Sequence, residues 1–118
     1  MIQAVFRRDA DNSIISYEIT GHAKSGSEGY DIVCAAVSVL AITTENGIDQ
    51  LVGKTPISKV DYENGGYLYV KISNDMNQEQ LNKAQLLLEN FLLGYDTIAK
   101  QYPKYVIKAI EVNKNGGA

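Results

Sequence analysis

Asp31-Ile32-Val33-Cys34-Ala35-Ala36-Val37-Ser38-Val39-Leu40-Ala41-Ile42 decides the architecture. Asp31 is a good helix N-cap, and the pattern from Ile32 to about Val52 is helical. The first half is apolar nearly all round, as in a helix covered on more than one side. A single chain of 118 residues has little with which to cover two sides. A second copy packed on the helix is the simple solution, so a homodimer is expected.

On either side of this helix the period changes from helical to alternating. Upstream, residues 2–8 and 13–21 read as a β-hairpin, with Ile15, Tyr17 and Ile19 alternating with Ser16, Glu18 and Thr20. Asp9, Ala10, Asp11 and Asn12 supply its turn. Downstream, residues 57–63 and 67–72 form a second hairpin about Asn64-Gly65-Gly66, a turn sequence suited to positive φ. A second helix runs from about Asn77 to Tyr102. Its stripe is Leu81, Ala84, Leu88, Phe91, Leu92, Tyr95 and Ile98, and Leu86, Leu87 and Leu93 widen it. Asp75 with Gln78 resembles a capping box at its start, and Pro103 ends it. Residues 105–112 read as a last strand and 113–118 as a frayed tail. The order is ββαββαβ. The expected class is α+β, a small single domain over residues 1–118 with two helices packed on a mostly antiparallel sheet.

Composition narrows the function. Hydrophobic residues are 45% and charged residues 21%, ordinary for a folded domain. The net charge is −3 and the longest basic run is Arg7-Arg8, so direct nucleic-acid binding is not expected. The N-terminus lacks the basic start and apolar core of a signal peptide. The stretch from Ile32 to Ile42 is too short to span a bilayer, so no membrane association is expected. A cytoplasmic protein with a reduced thiol is the expectation. One cysteine excludes an internal disulfide, and one His with one Cys cannot complete a tetrahedral metal site.

Those two residues, His22 and Cys34, lie in one short segment. His22 ends a strand. With Asp31 as N-cap, Cys34 would be the third helical residue, among unpaired N–H groups and near the positive end of the helix dipole. That setting lowers a thiol pKa, and a neighbouring imidazole would take the thiol proton. Between them Lys24, Ser25, Gly26, Ser27, Glu28 and Gly29 form a polar loop with little to bury, expected to be mobile. The plainer readings stand beside these. A lone Cys in an apolar helix is usually a small buried hydrophobe, and a lone His at a strand end is usually solvated. Asp31 suffices as a cap, and its carboxylate would oppose a low Cys34 pKa. Ser38, one turn after Cys34, is a small packing residue or a supporting group.

The whole string of residues 21–38, GHAKSGSEGYDIVCAAVS, resembles the signature of the ribosomal-processing cysteine protease family (Prp, or YsxB-like). A Gly-His dipeptide ends a strand, a Gly-containing loop follows, and Asp-Ile-Val-Cys-Ala opens a helix. The Asn64-Gly65-Gly66-Tyr67 turn and the two-helix layout match as well. The resemblance implies a cysteine endopeptidase without cofactor, with Cys34 as nucleophile and His22 as general base. Asp31 and Ser38 would be supporting residues and the loop from Lys24 to Gly29 a lid over the substrate. The implied partner is the N-terminal extension of large-subunit ribosomal protein number twenty-seven, cut after a pair of phenylalanines. Tyr17, Tyr30 and the strand Tyr67–Tyr69 are candidates to line apolar pockets, and the N–H groups of the helix start, that of Cys34 included, would hold the oxyanion. The alternatives are a non-catalytic ribosome-associated protein that binds the same extension, and a thiol-redox or sulfur-carrier protein.

Overall fold

The computed structural model describes residues 1–22, 28–63 and 66–113. The strands are β1 (Gln3–Arg8), β2 (Ile14–Thr20), β3 (Ile57–Asp61), β4 (Tyr67–Lys71) and β5 (Ile110–Asn113), and the helices are α1 (Glu28–Gly47) and α2 (Gln78–Gln101). They follow the expected ββαββαβ order. The strands form one five-stranded sheet in the order β3-β4-β2-β1-β5. All neighbours are antiparallel except β1 and β5, which run parallel. The fold is α+β, as the period changes along the chain predict.

Alternation makes the sheet one-sided. Ala4 and Phe6 of β1, Tyr17 and Ile19 of β2, and Leu68 and Val70 of β4 are buried. Register places Phe6 beside Tyr17, and Tyr17 beside Val70, so these residues form continuous rows beneath the helices. Phe91 of α2 completes the centre, its ring 5.3 Å from Phe6 and 4.8 Å from Tyr17. The Tyr17 hydroxyl donates to the Ala41 carbonyl at 2.7 Å, joining sheet to α1 in the core. Tyr17 is therefore a core residue and not a pocket-lining one.

Several boundaries differ from those expected, each for a local reason. The α2 capping box is Asn77 with Gln80 rather than Asp75 with Gln78. The Asn77 side chain accepts from the Gln80 N–H at 2.8 Å, and the Gln80 side chain accepts from the Asn77 N–H at 3.0 Å. Asp75 is instead engaged by the Ser73 hydroxyl and by Lys54. The last strand is shorter than residues 105–112. Val106 makes one isolated bridge to Ile2, and the Ala109 N–H is then drawn away to the Asp96 carboxylate of α2 at 2.9 Å. Pairing resumes only at Ile110.

The largest difference is at α1. It begins at Glu28, so Asp31 is the fourth helical residue and not the N-cap. Tyr30 explains the early start. Its hydroxyl donates to the Gly21 carbonyl and its ring packs 5.8 Å from Tyr105. Gly29 allows that packing, since a Cβ there would lie 2.9 Å from the Tyr105 hydroxyl. Glu28 and Asp31 place negative charge in the first turn, which favours the helix dipole. A π-helical segment, Ile48–Val52, continues α1. The combined run Glu28–Val52 has 25 residues and is long and apolar enough to cross a membrane by length and composition, unlike the shorter stretch considered from sequence. Here Val33, Val37, Ala41, Ile48 and Val52 bury one stripe of it in the core.

The all-round covering expected for α1 is not present in one chain. Ile32 and Val39 are about three-fifths exposed, and Ile42 is also exposed. Leu86 and Leu93 of α2 are exposed as well. Residues 24–27, 64–65 and 114–118 of the expected loop, turn and tail lie outside the described residues.

Candidate active site

The site is built on the carbonyl of Gly21. Gly21 follows β2 with φ of 78°, and its N–H donates to the Gly66 carbonyl at 3.2 Å. A Cβ at this position would stand 2.2 Å from the Met1 carbonyl oxygen. Only glycine meets both demands, the left-handed backbone and the close approach of another strand. Gly21→Ala is expected to destabilise the fold by about 2 kcal/mol or more, because backbone strain and a backbone clash act together. Chemical denaturation measures this, and a stability unchanged within about 0.5 kcal/mol would contradict it.

The turn carries His22 inward. It is 4% exposed, not solvated as a lone strand-end histidine usually is. Its ring meets the Tyr62 ring edge-on, with centroids 6.1 Å apart. Among the described residues its Nδ1 is buried without a hydrogen-bond partner. Burial holds the imidazole below its ordinary pKa of 6.5, because the charged form loses solvation.

Cys34 reaches the same carbonyl from α1. It is buried, with Sγ 3.9 Å from the Gly21 oxygen. It is the seventh residue of the helix rather than the third. Its N–H therefore belongs to the i→i−4 ladder and is not an oxyanion donor. The thiol pKa moves opposite to the sequence expectation. Burial pushes it up, while a hydrogen bond from the Tyr30 side chain pulls it down. Asp31 raises it further and the N-terminal ammonium lowers it. The helix dipole argument fails because the sulfur lies in the second turn, beyond the reach of the unpaired N–H groups.

Helical spacing places Tyr30, Asp31 and Ser38 around Cys34. Asp31 is half-buried in the first turn and Ser38 is half-buried one turn beyond the sulfur. Glu28 and Gly29 belong to α1, not to a loop; Lys24, Ser25, Gly26 and Ser27 are outside the described residues. Tyr67 and Tyr69 alternate with buried Leu68 and Val70, so they face away from the helices, and the Tyr67 hydroxyl donates to Glu18 at 2.8 Å. Tyr62 and Tyr105 were not singled out from sequence. Tyr62 precedes the Asn64-Gly65-Gly66 turn, which is the one local hint that it sits at this end of the sheet. Nothing local marks Tyr105, which is brought to the site by the bonding of its segment to Ile2 and by the contact of its ring with Tyr30. Among the described residues no three His, Cys, Asp or Glu side chains cluster closely enough to hold a metal ion.

The Cys34 thiol reaches the carbonyl of Gly21, the residue before the buried His22, and on this α+β frame one cysteine and one histidine in adjoining segments fit a cysteine protease. The chain belongs to the family described as cysteine protease Prp, whose model matches residues 1–107. A ribosomal processing cysteine protease Prp of Bacillus subtilis is 38% identical over 102 residues, covering 86% of this chain and 90% of that protein. The crystal structure of SMU.848 from Streptococcus mutans superposes with a TM-score of 0.88 at 40% identity, covering 97% of this chain and 96% of that one. An essential ribosomal processing protease Prp from Staphylococcus aureus, in complex with a covalently linked product peptide, superposes with a TM-score of 0.76 at 27% identity, covering 97% and 100%.

Proposed function

We propose that this protein is a cytoplasmic endopeptidase that removes the N-terminal extension of large-subunit ribosomal protein number twenty-seven, with Cys34 as nucleophile and His22 as general acid and base. The observation that carries the proposal is the approach of the Cys34 thiol to the carbonyl of Gly21, the residue that precedes the buried His22. The Staphylococcus aureus relative described with a covalently linked product peptide supports a covalent route. His22 takes the Cys34 proton, and the sulfur adds to the scissile carbonyl. The C–N bond breaks as His22 returns that proton to the departing amine. Water, deprotonated by His22, then hydrolyses the thioester and restores the thiol.

The resting pair is neutral. Burial raises the thiol and lowers the imidazole, so the proton stays on sulfur until a peptide enters. Apolar walls suit a substrate cut after phenylalanines, and Tyr62 beside His22 supplies one at the site. The test is mass spectrometry of the extended ribosomal protein after incubation with this chain. Loss of the extension, with a new N-terminus after the phenylalanine pair, is expected. An intact substrate would reject the assignment.

We further propose a twofold dimer through the exposed stripe of α1. Ile32, Val39 and Ile42, with exposed Ala35 and Ala36 between them, form one continuous apolar line, and Leu86 and Leu93 add to the exposed apolar surface. Such a patch in water favours self-association at about 25 cal/mol per Å² buried. Light scattering after size exclusion is expected to give about twice 13.0 kDa. A monomer at micromolar concentration would refute it.

A further inference from the structure

We propose that the Tyr30 hydroxyl is the hydrogen-bond donor that holds the Cys34 sulfur as a thiolate once His22 has taken its proton, with the Gly21 carbonyl as its resting partner. This rests on Cys34 being the nucleophile and adds a third member to the site. Tyr30 lies one helical turn before Cys34 on the same face. Three groups share one small space. The Tyr30 O–H donates to the Gly21 oxygen, the Cys34 S–H points at that same oxygen from 3.9 Å, and the Tyr30 hydroxyl therefore lies beside the sulfur.

With the thiol protonated, the carbonyl receives both donors. When the thiol proton leaves, the sulfur becomes the stronger acceptor, and charge-assisted hydrogen bonds are roughly twice as strong as neutral ones. The phenol proton then turns from oxygen to sulfur without moving the ring, which Tyr105 holds in place. The device compensates for burial, which otherwise disfavours the thiolate. An alternative role, anchoring the start of α1 through the Gly21 carbonyl, predicts a loss of stability but no specific effect on the thiol.

The test is the pH profile of Cys34 alkylation by iodoacetamide, in the intact chain and in Tyr30→Phe, which keeps the ring. The titratable groups that act on the sulfur besides Tyr30 are Asp31 on α1 and the Met1 ammonium before β1; these, and His22 next to Gly21, are the same in both proteins. The alkylation midpoint is expected to rise by about one pH unit, a tenfold loss of thiolate at neutral pH. Peptide turnover is expected to fall in kcat by about tenfold with little change in KM. An unmoved alkylation midpoint, or a change in KM alone, would overturn the proposal.

Should Tyr30→Phe fail to fold, Cys34→Ala decides by reciprocity. Removing the thiolate from beside Tyr30 is expected to let its phenol ionise at lower pH, read as an earlier rise in tyrosinate absorbance. An unchanged tyrosinate titration would overturn the proposal. The alkylation and absorbance measurements use no peptide, so their failure is distinct from a failure to cleave the ribosomal substrate.

Discussion

Cys34→Ala is expected to abolish peptide cleavage, with a loss on the order of 10⁶-fold, the scale of removing a protease nucleophile. The fold should persist. The change deletes one sulfur from a core position, and a deletion of that size costs about 1 kcal/mol. Cys34→Ser should be almost as inactive although it keeps an acceptor in place. A serine hydroxyl is a weaker nucleophile unless a base activates it, and the lowered pKa of His22 makes it a weak base. Mass spectrometry of the digest and thermal unfolding, measured on the same samples, check both halves. Cleavage by Cys34→Ser near the rate of the unmodified chain would remove Cys34 as nucleophile. Cleavage lost together with the fold would leave Cys34→Ser, the closer isostere, to decide.

His22→Ala is expected to lower kcat by roughly 10²–10⁴-fold, the usual worth of general acid–base assistance. It should also change how stability depends on pH. In the folded chain the imidazole resists protonation below the ordinary value of 6.5, whereas the unfolded chain takes up the proton there. Below 6.5 the unfolded state therefore binds more protons, and the stability present above 6.5 is lost as the pH falls through the depressed folded value. Denaturant midpoints measured on either side of 6.5 should fall on acidification in the unmodified chain and fall less in His22→Ala. Parallel pH dependence in the two proteins would show that His22 is not held neutral by burial.

Both predictions rest on residues that could be found in the sequence. Period-two alternation failed at Ile15, which is only partly buried while Ile14 and Ser16 are buried where the pairing with β1 shifts register at Arg7 and Arg8. It did mark Tyr17 and Ile19 of β2 as inward, because one-sided burial of a strand is a local property. The stripe of α2 was legible for the same reason. Of its expected members, Ala84, Leu88, Phe91, Leu92 and Tyr95 are buried, and Leu81 and Ile98 pack at its margin. Cys34 and His22 were conspicuous as the chain's one thiol and one imidazole, and the string around them carried the family resemblance.

What the sequence by itself determined is therefore the α+β order, the buried stripe of α2 and the one cysteine and one histidine on which the proposed chemistry rests. What only the tertiary structure decided is the environment in which that chemistry starts. Asp31 looked like an N-cap because capping is judged from neighbours, but α1 begins earlier, where the Gly21 carbonyl and the Tyr105 ring hold Tyr30. That shift moves Cys34 out of the first turn, where the dipole would favour a thiolate, and into the second, where burial opposes one. Tyr17 and Tyr30 looked alike as candidate pocket residues. The first is locked in the core on Ala41 and the second donates to the Gly21 carbonyl that the Cys34 sulfur also approaches. The direction of a pKa and the partner of a hydroxyl depend on groups brought together from distant parts of the chain, and no local pattern records them.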